Sequence, residues 1–406
     1  MKPFFLLMML CAWAITGEAQ TSAVHPATAT DILTGDSLLS AADAQFPRFL
    51  RDQTGQSVLT WIERTDSGIT LVCQPFGSDN QPFGTSLRIA LPPATAAHGE
   101  DIPKLAFKAD GTMMVVFNLP KPTPDNIRAG ELLYRLSNDG GRSWTPDRPV
   151  HRDVRPGKSH SYADLTRLPN GEIGIVWLDD KLPGHEGRTV RFAQTLPGGG
   201  FGPEQIVDDN ACQCCRTGIL TDSRGRIYLT YRDWLPGGIR DVSYVVSADA
   251  GQSFSKPALL NSDNWVINAC PHAGPQLYAQ GETVYAAWYS GEKTRPGVRL
   301  TRLNGSQTLM DFIEGPQTKH PQVTGWPDGR LALAWENLVG EGEEAYRQIW
   351  LRTYPPTGPV RTVALTPEGQ VASDPALLPT PDGLLAAWQV WEGPTPRLIV
   401  KHFLFF

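Results

Sequence analysis

Short apolar segments recur in pairs along most of the chain. In each pair, a strand-length apolar segment is followed by a turn that contains glycine, and then by a second apolar segment that ends in an aromatic residue. The segments are too short, and glycine and proline interrupt the chain too often, for amphipathic helices. The pattern therefore predicts β-strands joined by hairpins.

This paired pattern occurs seven times, and its turn glycines are 48 to 60 residues apart. The turn glycines are Gly55, Gly111, Gly171, Gly225, Gly281, Gly329 and Gly383. The second segments end at Trp61, Phe117, Trp177, Tyr231, Trp288, Trp335 and Trp388. Four repeats also have a proline eight residues before the glycine, namely Pro47, Pro103, Pro321 and Pro375. Asp-Gly or Asn-Gly pairs in four of the turns are strong hairpin signals.

Each repeat has room for four strands, which we assign in the first repeat to residues 48–50, 57–62, 69–73 and 87–90. Four-stranded units in series at this period are typical of a β-propeller. We predict an all-β protein with seven four-stranded blades. The seventh repeat has only three strands, so a strand from residues 27–33 is predicted to complete it and close the ring. No linker interrupts the series, and residues 20–406 are predicted to form a single domain.

The composition supports an ordered β-rich protein. The 406 residues include 39 Gly, 35 Pro and 12 Trp, only 19% are charged, and the net charge is -6. These values argue against a disordered chain and a coiled coil. A mildly acidic chain without runs of Lys or Arg is also a poor candidate for binding nucleic acid. The composition does not indicate an oligomeric state.

Residues 1–19 have the features of a secretory signal. Lys2 precedes an apolar run over residues 4–15, and small residues at positions 17 and 19 predict cleavage before Gln20. The run is shorter than the roughly 20 residues that span a bilayer, and no later run is long enough. We therefore expect an exported protein without a membrane span, in the periplasm or outside the cell, where disulfides can form.

Two segments share the pattern S-x-D-x-G-x-x-W/F. They follow the third strand of the second and fourth repeats and consist of Ser137, Asp139, Gly141 and Trp144, and of Ser247, Asp249, Gly251 and Phe254. Ser and Asp side chains can accept from turn amides, and glycine adopts the left-handed backbone conformation that such a turn needs. We expect a structural role for both segments.

Two such segments in register with the repeat resemble the Asp-box (BNR) proteins of the sialidase superfamily. That resemblance implies a propeller, often of six blades, which is the alternative to the seven counted above. The segment from Cys212 to Arg216, followed by Tyr231-Arg232-Asp233 and Cys270-Pro271-His272, resembles an exported bacterial, sialidase-like branch of that superfamily.

The resemblance also implies an activity, namely the removal of acidic terminal sugars by an exo-acting glycoside hydrolase on the loop face of the propeller. Arginines would bind the sugar carboxylate, and the candidates are Arg48, Arg216, Arg232 and Arg240. Asp101 is the candidate acid/base, and Tyr346 with Glu344 is the candidate nucleophile pair.

Histidine and cysteine are concentrated in the connections between predicted blades. The candidate ligands of a zinc or copper ion are His98, His160, Cys214, Cys215, Cys270, His272 and His320. Alternatively, Cys212, Cys214, Cys215 and Cys270 form two disulfides, or one disulfide beside a metal site. Cys73 alternates with apolar residues and is expected to be an inert buried thiol.

Three functions therefore remain open. The protein is a sialidase-type hydrolase, a propeller that binds a glycan or protein without turnover, or a metal-binding protein that uses the Cys/His-rich connections.

Overall fold

The chain folds into seven four-stranded antiparallel sheets that form the blades of a β-propeller, and the prediction of seven blades is confirmed. The computed structural model describes residues 33–38, 43–303 and 309–404. The alternative of six blades is wrong. The predicted signal at residues 1–19 lies outside the described residues. Across the described ranges, no helix is both long enough and apolar enough to cross a membrane.

The strands follow the repeat closely. Blade 1 contains β2 (Ala44–Arg51), β3 (Ser57–Thr65), β4 (Gly68–Pro75) and β5 (Leu87–Leu91). Blade 2 contains β6 (Lys104–Phe107), β7 (Met113–Pro120), β8 (Gly130–Ser137) and β9 (Arg148–Pro149). Blade 3 contains β10 (Ser161–Arg167), β11 (Ile173–Asp179), β12 (Arg188–Gln194) and β13 (Gln205–Ala211). Blade 4 contains β14 (Gly218–Thr221), β15 (Ile227–Arg232), β16 (Val242–Ser247) and β17 (Ala258–Leu259).

The remaining blades have the same order. Blade 5 contains β18 (Gln276–Gln280), β19 (Thr283–Ser290), β20 (Gly297–Arg302) and β21 (Leu309–Glu314). Blade 6 contains β22 (Lys319–Gly325), β23 (Leu331–Val339), β24 (Tyr346–Tyr354) and β25 (Arg361–Ala364). Blade 7 contains β26 (Ala372–Pro379), β27 (Gly383–Trp391), β28 (Pro396–Leu404) and β1 (Leu33–Leu38). Within the described residues, short 3-10 turns cover Pro236–Gly238 and Gly342–Glu344.

A strand from the start of the chain completes blade 7, as predicted. β1 pairs antiparallel with β28, so that Leu33 lies opposite Phe403 and Leu38 lies opposite Ile399. The strand begins at Leu33, the last residue of the predicted segment, and residues 27–32 lie outside the described part. Pairing the two ends of the chain in one sheet closes the ring.

The core lies between the blades. Seven apolar clusters each join two neighbouring blades, and the cluster of blades 7 and 1 includes Leu59, Trp61, Leu385 and Leu398. A blade has a neighbouring blade on both faces, so successive side chains of a central strand are all buried, as in β11, the second strand of blade 3. Each fully buried side chain of leucine size contributes about 1.5–3 kcal/mol. This burial explains the near-continuous apolar segments of the sequence.

The first two strands of most blades are joined by a turn of one design. In blade 2 the amide of Gly111 donates to the carbonyl of Lys108 at 3.2 Å, and the amide of Thr112 donates to the Asp110 carboxylate at 2.8 Å. Gly111 has φ +89°, which L-residues adopt only at a cost. The recurring glycine therefore marks the end of the first strand of a blade, which we call the inner strand because it lies nearest the axis of the propeller.

Candidate functional site

The inner strands surround a central channel that opens on the loop face of the propeller. On this face lie the connections between blades and those between second and third strands, because the strands of each blade alternate in direction. Residues from five blades line the opening, which we call the channel mouth: Phe46, Glu100, Arg216, His320 and Asp374. It is a polar opening with both signs of charge.

An ion-pair network lies deeper in the channel. Asp164 Oδ1 is 2.8 Å from Nη2 of Arg48 and 3.2 Å from Nζ of Lys104, so one carboxylate links blades 1, 2 and 3. Burial alone would raise the pKa of Asp164, but the two cations outweigh it and lower that pKa to about 2. The carboxylate is therefore ionised at neutral pH and neutralises one of its two cations.

Bulges at the start of four inner strands shape the channel mouth. The pairing register shifts there in β2, β10, β22 and β26. Each bulge contains a non-glycine residue with φ between +49° and +58°: Phe46, Tyr162, His320 and Asp374. A left-handed conformation costs a non-glycine residue about 1–2 kcal/mol, and such strain concentrates at functional sites.

Glu100 holds Arg216 at the channel mouth. Its Oε1 accepts from Nη1 of Arg216 at 2.9 Å, and its Oε2 accepts from the backbone amides of Arg216 and Gly274, each at 2.8 Å. Burial opposes the charge of Glu100, but Arg216 and these amides hold its pKa below the usual value. Position 274 requires glycine because a Cβ there would lie 2.2 Å from Cγ of Arg216.

His320, Glu336 and Asp374 form the opposite side of the channel mouth. Nδ1 of His320 is 3.0 Å from Oε2 of Glu336, and the same oxygen accepts from Nη1 of Arg347 at 3.0 Å. Oε1 of Glu336 accepts from the backbone amide of Asp374 at 2.8 Å. Burial works against a charged His320, but the Glu336 carboxylate outweighs it and raises the pKa of His320 to about 9.

The pKa values of the two carboxyl groups of this trio are shifted in opposite directions. Burial and the neighbouring negative charge of Glu336 raise the pKa of Asp374 to about 6. Burial also opposes ionisation of Glu336, but His320 holds the pKa of Glu336 below its usual value. Two carboxyl groups with pKa values moved apart, in an open polar site, are the arrangement that general acid–base catalysis requires.

Sequence reasoning missed Glu100, Glu336 and Asp374. Two of these residues occupy positions next to residues that the repeat marks. Asp374 immediately precedes the repeat proline Pro375, just as Phe46 precedes Pro47, and Glu336 immediately follows the strand-end aromatic Trp335. Glu100 lies in an irregular connection between blades, where the repeat marks no position.

The four arginines proposed as carboxylate binders have different environments. Arg48 and Arg216 line the channel, and each is paired with a carboxylate. Arg232 is 1% exposed and donates to the backbone carbonyls of Arg240, Ala273 and Tyr289. Arg240 is buried against the Trp234 ring and does not line the channel mouth. The four arginines therefore do not form the expected single cluster. Arg232 is bound to backbone carbonyls, and Arg240 packs against the Trp234 ring.

The proposed acid/base and the proposed nucleophile pair lie in different elements, Asp101 just before blade 2 and Glu344 and Tyr346 in blade 6. Asp101 is buried beside the channel mouth and accepts from Nδ2 of Asn118 at 2.6 Å and from the amide of Tyr162 at 3.1 Å. Burial raises the pKa of Asp101. Glu344 lies in an exposed 3-10 turn, and Tyr346 begins β24 with no contact to it among the described interactions.

The structure brings together part of the predicted Cys/His set. All five cysteines of the described residues are free thiols, so the predicted disulfides are not formed there. The sulfurs of Cys212, Cys214 and Cys215 lie within 4.8 Å of one another, and Cys214 is equally close to ligand atoms of Cys270 and His272. Cys73 is buried in the core of blades 1 and 2, and burial raises its pKa to about 12.

Of the other predicted histidine ligands, His98 lies beside His272, and His160 and His320 pair with carboxylates. The His98 ring lies 6.3 Å from the His272 ring and 5.9 Å from the Tyr162 ring. Nδ1 of His160 is 2.7 Å from the Asp179 carboxylate, and its ring stacks on His151 at 3.5 Å. His320 pairs with Glu336, as described above. None of the three belongs to the groups that the cysteines form.

The Asp boxes have the structural geometry that their sequence predicts. They lie between the third and fourth strands of blades 2 and 4, on the face opposite the channel mouth. Asp139 accepts from the amide and hydroxyl of Ser143, and Ser137 donates to Asp139 at 2.8 Å. Asp249, Ser253 and Ser247 repeat these contacts. These hydrogen bonds hold the pKa of each carboxylate below its usual value.

No family model matches the chain, and no curated protein does either. Solved propeller structures do. The polysaccharide lyase Uly1 is 11% identical, with 91% of each chain covered and a TM-score of 0.53. A PL25 ulvan lyase bound to -[GlcA(1-4)Rha3S]- is 13% identical, covers 89% of this chain and 94% of its own, and has a TM-score of 0.51. The Hadza microbial sialidase Hz136 is 10% identical. The match covers 84% of this chain and 74% of the sialidase chain, with a TM-score of 0.46. At these identities the similarity is one of fold.

Proposed function

We propose that this protein is an enzyme that cleaves glycosidic bonds of an acidic carbohydrate at the channel mouth, with Asp374 as the proton donor. The observation that carries the proposal is the carboxyl group of Asp374. Its pKa is raised to about 6, and it lies beside an ionised carboxylate and a protonated imidazole. A general acid works best with a pKa near the operating pH.

The cations of the channel support an acidic substrate. Arg216, His320 and, deeper, Arg48 and Lys104 line one continuous opening. Nη2 of Arg216 has no hydrogen-bond partner among the described residues, although the atom is buried. A guanidinium with a donor to spare favours a carboxylate or sulfate of the substrate, because an unpaired buried donor is costly.

The class of substrate is also supported by the structural relatives. Two of them are named as polysaccharide lyases, which are examples of this fold acting on polysaccharides. Hydrolysis and elimination both need a proton for the oxygen of the leaving sugar, so Asp374 has the same role in either reaction. The export signal proposed for residues 1–19 agrees with a polymeric substrate outside the cytoplasm.

The test is an assay of the purified protein on a fluorogenic sialoside, a uronate-containing polysaccharide and a neutral glycan. New reducing ends report cleavage, and the ultraviolet absorbance of a new C4–C5 double bond separates elimination from hydrolysis. We expect turnover of an acidic substrate, lost in Asp374→Asn and kept in Asp328→Asn. The control carries the same change on the opposite face, where Asp328 pairs with Arg330.

Three outcomes would count against the proposal. Equal activity of the Asp374→Asn variant would remove Asp374 as the proton donor. Cleavage of the neutral glycan alone would remove the acidic substrate. Binding of an acidic glycan without any product would leave the alternative of a propeller that only binds glycans.

A further inference from the structure

Three buried cysteines lie side by side behind the channel mouth. Cys212, Cys214 and Cys215 belong to the connection between blades 3 and 4, and they are 1%, 4% and 2% exposed. Their sulfurs lie within 4.8 Å of one another. The connection between blades 4 and 5 brings Cys270 and His272 to the outer side of this group, where both reach Cys214 within the same distance. None of these thiols is used in a disulfide.

The backbone of the cysteine-bearing connection is fixed by contacts that do not involve the thiols. The amide of Cys212 donates to the carbonyl of Arg232 at 2.8 Å, which continues the connection along the end of β15. Nε2 of Gln213 donates to the carbonyl of Glu186 at 2.7 Å. The sulfurs are therefore held together before any ligand binds, which lowers the entropic cost of binding one.

Two buried cations lie beside the thiols without a carboxylate in ion-pair contact. Nη1 of Arg240 lies 3.3 Å from Sγ of Cys212, and its Nε has no hydrogen-bond partner. Arg232, which is also buried, donates only to backbone carbonyls. Within the described ranges, neither guanidinium forms an ion pair with a carboxylate. Buried charges are normally paired, and thiolates at the cysteine positions would supply negative charge close to both guanidinium groups.

We propose that Cys212, Cys214, Cys215 and one side chain of the pair Cys270 and His272 bind a single thiophilic metal ion, Zn²⁺ or Cu⁺. Four ligands suit tetrahedral zinc, whose Zn–S distance of about 2.3 Å requires sulfurs about 3.8 Å apart. The three thiols are within reach of that spacing, whereas Cys270 and His272 are recorded close to Cys214 alone and would move toward Cys212 and Cys215 when the ion binds. Each thiol that binds releases its proton to solvent. Zn²⁺ with three thiolates and one imidazole has a net charge of -1, and with four thiolates it has -2. The two positive charges of Arg232 and Arg240 offset the first and cancel the second.

The site would stabilise the segments that frame the channel mouth. Arg216 directly follows Cys215, and Nε2 of His320 lies 3.2 Å from the carbonyl oxygen of His272. The amide of Gly274 donates to Glu100. A metal ion bound at the cysteines would therefore join the connections that position Arg216 and His320. With all four positions taken by protein, the ion is structural and takes no part in the cleavage step.

Metal content of the full chain tests the proposal directly. The protein is purified under reducing conditions without chelator, and elemental analysis measures zinc and copper separately. We expect one ion per chain, a fall below about a tenth of an equivalent in Cys214→Ser, and no change in Cys73→Ser. Cys73 is the matched control, because it is also a buried thiol but lies in the core of blades 1 and 2.

Two measurements keep the proposal falsifiable if Cys214→Ser fails to fold. Reduced wild-type protein treated with chelator should lose the ion, melt at a lower temperature and expose additional reactive thiols. Added Co²⁺ should then give the intense thiolate-to-cobalt absorption of a tetrahedral site. Wild-type protein that takes up neither zinc, copper nor cobalt would overturn the proposal, and so would a disulfide between cysteines of the group in non-reduced peptide maps. Metal content is read without substrate, so it can fail independently of the proposed activity.

Discussion

Nη1 of Arg216 donates to Oε1 of Glu100 at 2.9 Å, although 116 residues separate the two in the chain. Glu100 precedes blade 2 and Arg216 precedes blade 4, so the pair joins two connections that have blade 3 between them in the chain. Both side chains are largely buried. The channel mouth therefore depends on a charge pair that only the closed ring brings together.

Removing the charge of Glu100 should destabilise the fold strongly. Glu100→Ala leaves the Arg216 guanidinium and two backbone amides without their acceptor, and breaking a buried ion pair costs about 3–5 kcal/mol. Urea denaturation measures the loss of unfolding free energy. Glu343→Ala, in the exposed turn of blade 6, is the control and should change it by less than about 0.5 kcal/mol. Similar effects of the two substitutions would mean that the Glu100 pair contributes little.

Stability should depend on pH through His320. Its pKa in the folded protein is about 9, above the usual 6.5, so the folded state binds the proton more tightly than the unfolded state. The resulting stabilisation is complete below pH 6.5 and is lost as the pH rises through 9. In denaturation curves across this window, His320→Gln should flatten the decline, whereas His185→Gln in an exposed loop should not. An unchanged slope in His320→Gln would contradict the assignment.

Activity should fall as Asp374 loses its proton. If Asp374 is the acid, the rate on an acidic glycan decreases as the pH rises above about 6. Asp374→Asn should lower kcat by about 100- to 10,000-fold and remove this limb of the profile. In His320→Gln the limb should move to higher pH, because the His320 cation favours the ionised form of Asp374. A limb that stays in place in both variants would belong to another group.

Alanine substitutions at two adjacent glycines of the first Asp box should distinguish the cost of backbone strain from the cost of a packing clash. Gly140 has φ +72° with open space around its Cα, whereas Gly141 has φ +87° and a Cβ there would lie 2.5 Å from Cδ2 of Leu87 in blade 1. Each substitution by alanine costs about 1–2 kcal/mol for the left-handed conformation. Gly141→Ala should cost about 1–3 kcal/mol more, because it also displaces Leu87. Equal losses of stability in thermal denaturation of the two variants would show that Leu87 moves aside at no cost.

The sequence allowed some of the site to be predicted and concealed the rest. His320 and the cysteine-rich segment were identifiable because His and Cys are the usual ligands of zinc and copper, and Arg216 because the resemblance to sialidases implies arginines that bind a carboxylate. Glu336 in blade 6 and Asp374 in blade 7 lie beside residues that the repeat marks, but a carboxylate in the sequence gives no sign of the groups that face it in the fold. Conversely, Arg232 and Arg240 fit the expected chemistry by residue type, but the backbone carbonyls around Arg232 are visible only in the folded chain.

The number of blades, the strand order within them and the Asp-box turns follow from the sequence by itself, since strand pairing and turn geometry depend on local spacing and on which residues tolerate a positive φ. The channel mouth, the raised pKa of Asp374 and the grouping of the cysteines depend on the tertiary structure. They require side chains more than a hundred residues apart to meet around one axis in a partly buried site, where burial and neighbouring charges set each pKa.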